Sequence, residues 1–244
     1  MKNKKIFIVI GVVLFIIFGF IIFKISNKYI EENNNIEKLF ENHNYNRIYN
    51  LIKDKDLLNT DNKENIYKII EDNINKYKIN NKEDYLKFTD KDINDIKNFN
   101  DLIKKLVLYE KYDYLNKLVA IDDKLHDYME AVRWYNSEEY KIYKSNMEIK
   151  ELTDYEKSGK LMKNYSFDKY GKDDILIKEL SEEIKKYVNY CEKFSTALNN
   201  KDSNLDDISR EFQDNLYQIN HIEITIKAKD TDLSNAINKL VNDK

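Results

Sequence analysis

The chain has 244 residues, with 41 Lys and Arg against 44 Asp and Glu, 19 tyrosines, four glycines and no proline. Five of the lysines and none of the acids fall in residues 1–28, so the remainder carries 36 bases against 44 acids and is acidic by eight charges. That balance excludes nucleic acid as the main partner, since phosphate needs a basic face; the single cysteine, Cys191, excludes an internal disulfide; and so few Pro and Gly exclude many strand turns and predict an all-α chain.

The N-terminus reads as a membrane anchor. Residues 6–23 hold no polar side chain. Eighteen residues at ~1.5 Å each span ~27 Å, close to the ~30 Å hydrocarbon core, and Lys24 can snorkel so that Ile25 extends the contact. A cleaved signal has a shorter apolar core and a small-residue exit site. Here the exit is Lys24-Ile25-Ser26-Asn27-Lys28-Tyr29, so an uncleaved single-pass anchor over residues 1–28 is expected, meeting the bilayer through residues 6–25. Lys2, Lys4 and Lys5 precede the run, and Lys24, Lys28 and Lys38 follow it. The short basic N-terminus favours a cytoplasmic N-terminus and an extracytoplasmic body.

A helical array is expected over residues 29–165, with helices near 30–42, 45–57, 62–78 and 90–108. The last opens at Thr89-Asp90-Lys91-Asp92, which has the look of a cap. Tyr114, Leu118, Ile121, Leu125, Tyr128, Val132 and Tyr135 step 4, 3, 4, 3, 4, 3, an a/d coiled-coil stripe that ends at Asn136. Ser137 then reads as the N-cap of a following helix, with Glu138 and Glu139 in its first turn. Another helix is expected at 152–163, and a boundary at 164–173.

Residues 173–244 read as an antiparallel helical hairpin plus a short C-terminal helix. Ile177, Leu180, Ile184, Val188, Cys191, Phe194 and Leu198 share one helical face. Leu205, Ile208, Phe212, Leu216, Ile219, Ile222 and Ile226 share another. Folded about the polar turn 199–204, with Ser203 and Asp206 as a capping box, the two series match layer for layer. Asp230 is expected to cap a separate helix over 231–242.

Chemistry is harder to find. Residues 90–101 place Asp90, Asp92 and Asn94 as in a calcium loop, but Asp95 stands where the turn needs glycine, and Ile93, Ile96 and Phe99 follow helical spacing. His126 and Glu130 are one helical turn apart, and two ligands make no metal site. His43 and His221 are isolated, and Cys191 reads as a small core residue. No nucleophile elbow or phosphate-cradling loop is present. Tyr45, Tyr112 and Tyr140 lie 67 and 28 residues apart, which does not fit the 34-residue tetratricopeptide period.

One aromatic cluster, Trp134, Tyr140 and Tyr143 around a helix junction, is a candidate contact surface, set against a role as core filling between helices. No cofactor or metal is expected. The expectation for function is a non-catalytic, membrane-anchored helical interaction module at the bacterial cell envelope, binding a protein or cell-wall partner. The alternatives are a self-associating scaffold on the cytoplasmic face and an inhibitor or immunity-type partner protein.

Overall fold

The computed structural model describes the backbone of residues 2–171 and 173–242, and the side chains of these from residue 18 onward except at position 20. It is all-helical among the described residues. The elements are α1 (Lys2–Glu41), α2 (Tyr45–Asp54), α3 (Lys63–Asn75), α4 (Lys82–Leu86), α5 (Asp90–Lys105), α6 (Tyr114–Leu125), α7 (Met129–Tyr135), α8 (Glu138–Met147), α9 (Asp154–Lys163), α10 (Ile175–Asn200) and α11 (Leu205–Asn242). Single 3-10 turns lie at Leu57–Asn59 and His126–Tyr128. The chain forms two compact units: residues 1–79 with 88–119, and residues 80–87 with 120–244.

Helix α1 is 40 residues long, or ~60 Å at ~1.5 Å per residue. The expected separate helix at 30–42 is its C-terminal part, not a new element. Among the described residues no helix is long and apolar enough to cross a membrane. Most of the run 6–23 that carries the anchor expectation lies outside the residues whose side chains are described. From Phe18 to Ile30 the described apolar side chains, Ile21, Ile22, Phe23 and Ile25 among them, are exposed. Beyond that point the same helix enters the core of the first unit through Glu32, Ile36 and Phe40.

The first unit packs α2, α3 and α5 around that segment. Helix α2 returns antiparallel to α1: Lys55, after its C-terminus, places Nζ 3.0 Å from Glu32 Oε1. Asn62 and Asn33 then exchange side-chain amide hydrogen bonds of 2.8 and 3.2 Å, and α3 departs from there. Ring contacts fill the far end, where Tyr45 stacks on Phe99 at 5.3 Å and Phe40 meets Phe99 edge-on at 5.2 Å. Thr89 caps α5 in a full capping box with Asp92, and the calcium-loop stretch 90–101 is helix.

The second unit differs from the expected division. The split falls inside α6, between Val119 and Ala120, rather than at 164–173. Residues 164–173 join α9 to α10, and Phe167 and Tyr170 from this stretch are core residues while Tyr165 packs against them. The a/d stripe is not a continuous coiled coil: the 3-10 turn at His126–Tyr128 interrupts it. Leu118, Ile121, Leu125 and Val132 of the stripe are buried; at three residues per turn the 3-10 segment rotates the face, so that beyond it Met129 and Trp134 are buried as well while Tyr128 and Tyr135 are only partly so.

The C-terminal helical pair is present. Helices α10 and α11 form the main packing interface of the second unit, and Ile177, Leu180, Ile184, Cys191, Phe212, Ile219, Ile222 and Ile226 lie in its core as expected. Two details move. Helix α9 packs on α10 and turns it, so that Tyr187 is fully buried and Val188 and Leu216 are pushed to the margin. Helix α11 begins at Leu205, directly after Asn204, which puts Ser203 and Asp206 one position out of register for a capping box. Helix α11 also does not stop at Asp230. Its carboxylate takes a slot in the buried stripe, accepting from Lys82 Nζ at 2.7 Å and Asn136 Nδ2 at 2.8 Å, and the stripe resumes at Leu233, Ile237 and Leu240. The expected separate C-terminal helix is therefore the last third of α11.

Candidate functional site

The aromatic junction is core, not surface, at two of its three positions. Trp134 and Tyr143 are fully buried and Tyr140 is half-buried. Trp134 meets Tyr140 and Tyr143 edge-on, each at 5.0 Å. Its indole Nε1 donates to Tyr165 Oη at 2.9 Å, and Tyr143 Oη donates to Glu223 Oε1 at 2.7 Å. With these polar tips satisfied inside the unit, the cluster leaves a partner little to bind. The cause is local: Ser137 caps α8, the tight link from α7 folds α8 back, and the rings face inward.

A different constellation lies in the first unit, where α1 ends. Asn42, His43 and Asn44 form the turn into α2. His43 N donates to Phe40 O at 3.0 Å and Asn44 N to Leu39 O at 2.9 Å, with His43 at φ 52°. This is the Schellman pattern with histidine where glycine is usual. The turn aims the imidazole at α5, and Nδ1 lies 2.6 Å from Asp95 Oδ1. The other oxygen of Asp95 accepts from Tyr45 Oη at 2.8 Å and from Tyr77 Oη. Burial, with the nearby carboxylate, raises both phenols well above their ordinary value.

Asp95 is nearly covered at 12% side-chain exposure, while His43 is 53% exposed. An imidazole whose Nδ1 faces a carboxylate presents Nε2 outward as the free hydrogen-bonding atom. His43 and Tyr45 line two cavities. One is an open cleft of about 470 Å³ that Asn46, Asn98, Asp101 and Lys105 also border. The other, about 210 Å³, is bordered by Phe40, Asn73, Lys76 and Tyr77. The open cleft thus offers several side-chain amides, a carboxylate, an ammonium and an oriented imidazole. That set can hold a polar ligand by hydrogen bonds. The phenols beside it keep their protons at neutral pH and donate them to Asp95, so they are not nucleophiles there.

In the second unit a groove of about 310 Å³ runs between α9 and α10, bordered by Gly159, Lys160, Cys191 and Ser195 among others. Its cysteine is no reactive centre: burial pushes the Cys191 thiol up to about 11. His126 lies in the 3-10 turn, and Glu130 is engaged by Arg133 and by Gly171 N. Among the described residues no group of three or more His, Cys, Asp or Glu side chains is placed to hold a metal ion. In the sequence His43 reads as isolated because its partners, Tyr45, Tyr77 and Asp95, carry no mutual spacing. The one available signal was a histidine between two asparagines directly after a helical stripe. No family model, curated protein or solved structure matches the chain.

Proposed function

We propose that the protein is a non-catalytic interaction module, held at a bacterial cell membrane by the N-terminal part of α1, that receives a protein or cell-wall partner at the polar cleft beside His43. The observation that carries this reading is the continuity of α1. One unbroken helix contains the apolar run 6–23, leaves Ile21, Ile22, Phe23 and Ile25 uncovered, and buries Glu32, Ile36 and Phe40 in the first unit. Exposed apolar side chains clustered on one helix are what lipid covers. The short basic N-terminus supports an extracytoplasmic body. The cleft supports binding rather than bond-breaking, because its oriented groups donate and accept hydrogen bonds and its phenols stay protonated. A self-associating scaffold is the second reading, favoured by Tyr217 and Ile224, which are exposed one heptad apart on α11.

Carbonate washing of membranes tests the anchor: the full chain should stay in the pellet, and its release would remove the reading. A cysteine at Asn200 should react with an impermeant maleimide on intact cells stripped of wall, whereas reaction only after lysis would put the body in the cytoplasm. A photo-crosslinker at Asn98 should capture a partner in cells. Adducts from Tyr217 to a second copy of the chain, with none from Asn98, would favour the scaffold instead.

A further inference from the structure

We infer that the Lys53–Lys63 edge of the first unit lies against the phospholipid headgroup layer, so that this unit has a bilayer-facing end and, opposite it, the cleft. The inference rests on the anchor reading of residues 6–25 and goes beyond it, because an anchor alone leaves the height and orientation of its cargo open.

The height follows from helix geometry. The edge is pinned level with residues 32 and 33 of α1. Lys55 pairs with Glu32 at 3.0 Å, and Asn62, fully buried, exchanges amide hydrogen bonds with Asn33. From Ile25 to Glu32 is seven residues of unbroken helix, a rise of ~10 Å. The headgroup layer on each side of the hydrocarbon is ~5–7 Å thick. A stiff neck of two turns therefore leaves the edge only ~3–5 Å beyond that layer, within reach of a snorkelling lysine side chain.

The neck and the edge suit that layer. Ile25 and Ile30 are exposed apolar side chains past the end of the run, and Lys24 and Lys28 beside them are exposed as well. Lys53, Lys55 and Lys63 on the edge can meet lipid phosphate, while Asp54, Asp56 and Asp61 can meet the ammonium of choline or ethanolamine. All six are exposed. The opposite end is set by the same helix. Asn42 is seventeen residues beyond Ile25, ~25 Å further out, and α3 also ends there, with Asn73, Lys76 and Tyr77 beside Phe40 and His43.

The test uses the full chain in phosphatidylcholine vesicles, with one fluorophore on a cysteine at Phe23, Asn59, Asp61 or Asn98. The native Cys191 is buried and stays unlabelled, and matching thermal melts show that each labelled variant is folded. Nitroxide on the acyl chain should quench the label at Phe23. Nitroxide on the headgroup should quench Asn59 and Asp61 several-fold more than Asn98. If Phe23 is quenched from the acyl chain while Asn59 and Asp61 are quenched no more than Asn98, the edge is clear of the lipid and this inference is overturned, with the anchor intact. If Phe23 is not quenched from the acyl chain, the anchor reading itself falls and takes the inference with it.

Discussion

A left-handed residue that is not glycine exacts a conformational cost, and this chain accepts it repeatedly. His43, Asp56, Val107 and Lys201 all have φ near +50°, three of them in Schellman turns: Leu108 N donates to Ile103 O at 3.0 Å and Asp202 N to Ala197 O at 3.0 Å, as Asn44 N does to Leu39 O. At His43 the orientation toward Asp95 offsets part of the cost. At Val107 nothing does, because the side chain is β-branched and 72% exposed, in a conformation that costs an L-residue ~1–2 kcal/mol. Val107→Gly is expected to raise stability by ~0.5–1 kcal/mol, the relief exceeding the extra entropy glycine loses on folding. Denaturant melts check it, with Ile142→Gly, in mid-helix and exposed, expected to lower stability by ~1 kcal/mol. A Val107→Gly midpoint at or below that of the parent would mean that the turn is not strained.

Between elements, α9 packs closely on α10. A Cβ added at Gly159 would sit 2.7 Å from the Cβ of Cys191, so only glycine lets these helices meet where they do. Beside it Ser158 Oγ donates to Asn146 O at 2.5 Å and shares a 2.8 Å hydrogen bond with Tyr187 Oη. Gly159→Ala should cost ~1–3 kcal/mol despite its better helix propensity. The cost should shrink when Cys191→Gly removes the opposing Cβ, a non-additivity that a double-mutant cycle measures; strict additivity would place the strain elsewhere. On α11, Asp230→Ala removes the common partner of Lys82 and Asn136. It is expected to lower stability by ~1–2 kcal/mol, since Lys82 is 17% exposed and keeps only Asn136 Oδ1 at 3.0 Å. If Asp230 were a helix cap instead, Asp230→Ser would preserve stability; here it should cost about as much as alanine.

Across the whole molecule the tyrosines make stability fall at high pH. Burial pushes Tyr112 and Tyr140 up to about 12 and the Cys191 thiol up to about 11, and it also raises Tyr45, Tyr77, Tyr85, Tyr143 and Tyr187. An unfolded chain releases these protons at ordinary values of about 9 to 10. Between those values and the raised ones the folded state binds more protons, so the slope of stability with pH is negative. The contribution is fully present below pH ~9 and is lost as pH rises through the folded values. The denaturant midpoint should therefore drop steeply from pH ~9.5 upward, with tyrosine ionisation coinciding with unfolding. Ionisation of most tyrosines in a chain that still melts cooperatively would contradict the burial described.

Much of this architecture was legible in the residues themselves. Helix is dictated by the lack of proline and the scarcity of glycine; the α10–α11 pair by two apolar series flanking a polar turn; the caps at Thr89 and Ser137 by short-range spacing. All of these rest on forces acting within a few residues, or on a periodicity that marks which face is buried. What the tertiary structure alone decided involves partners far apart in sequence. Asp230 continues a helix because Lys82, 148 residues away, meets it. Tyr187 displaces Val188 from the core because α9 presses on α10. His43 becomes an oriented side chain because Asp95 lies across from it. A polar side chain read alone marks a surface or a cap, since an unpaired one is costly to bury; once folding supplies its partner that cost is largely removed, and no local pattern announces where the partner is.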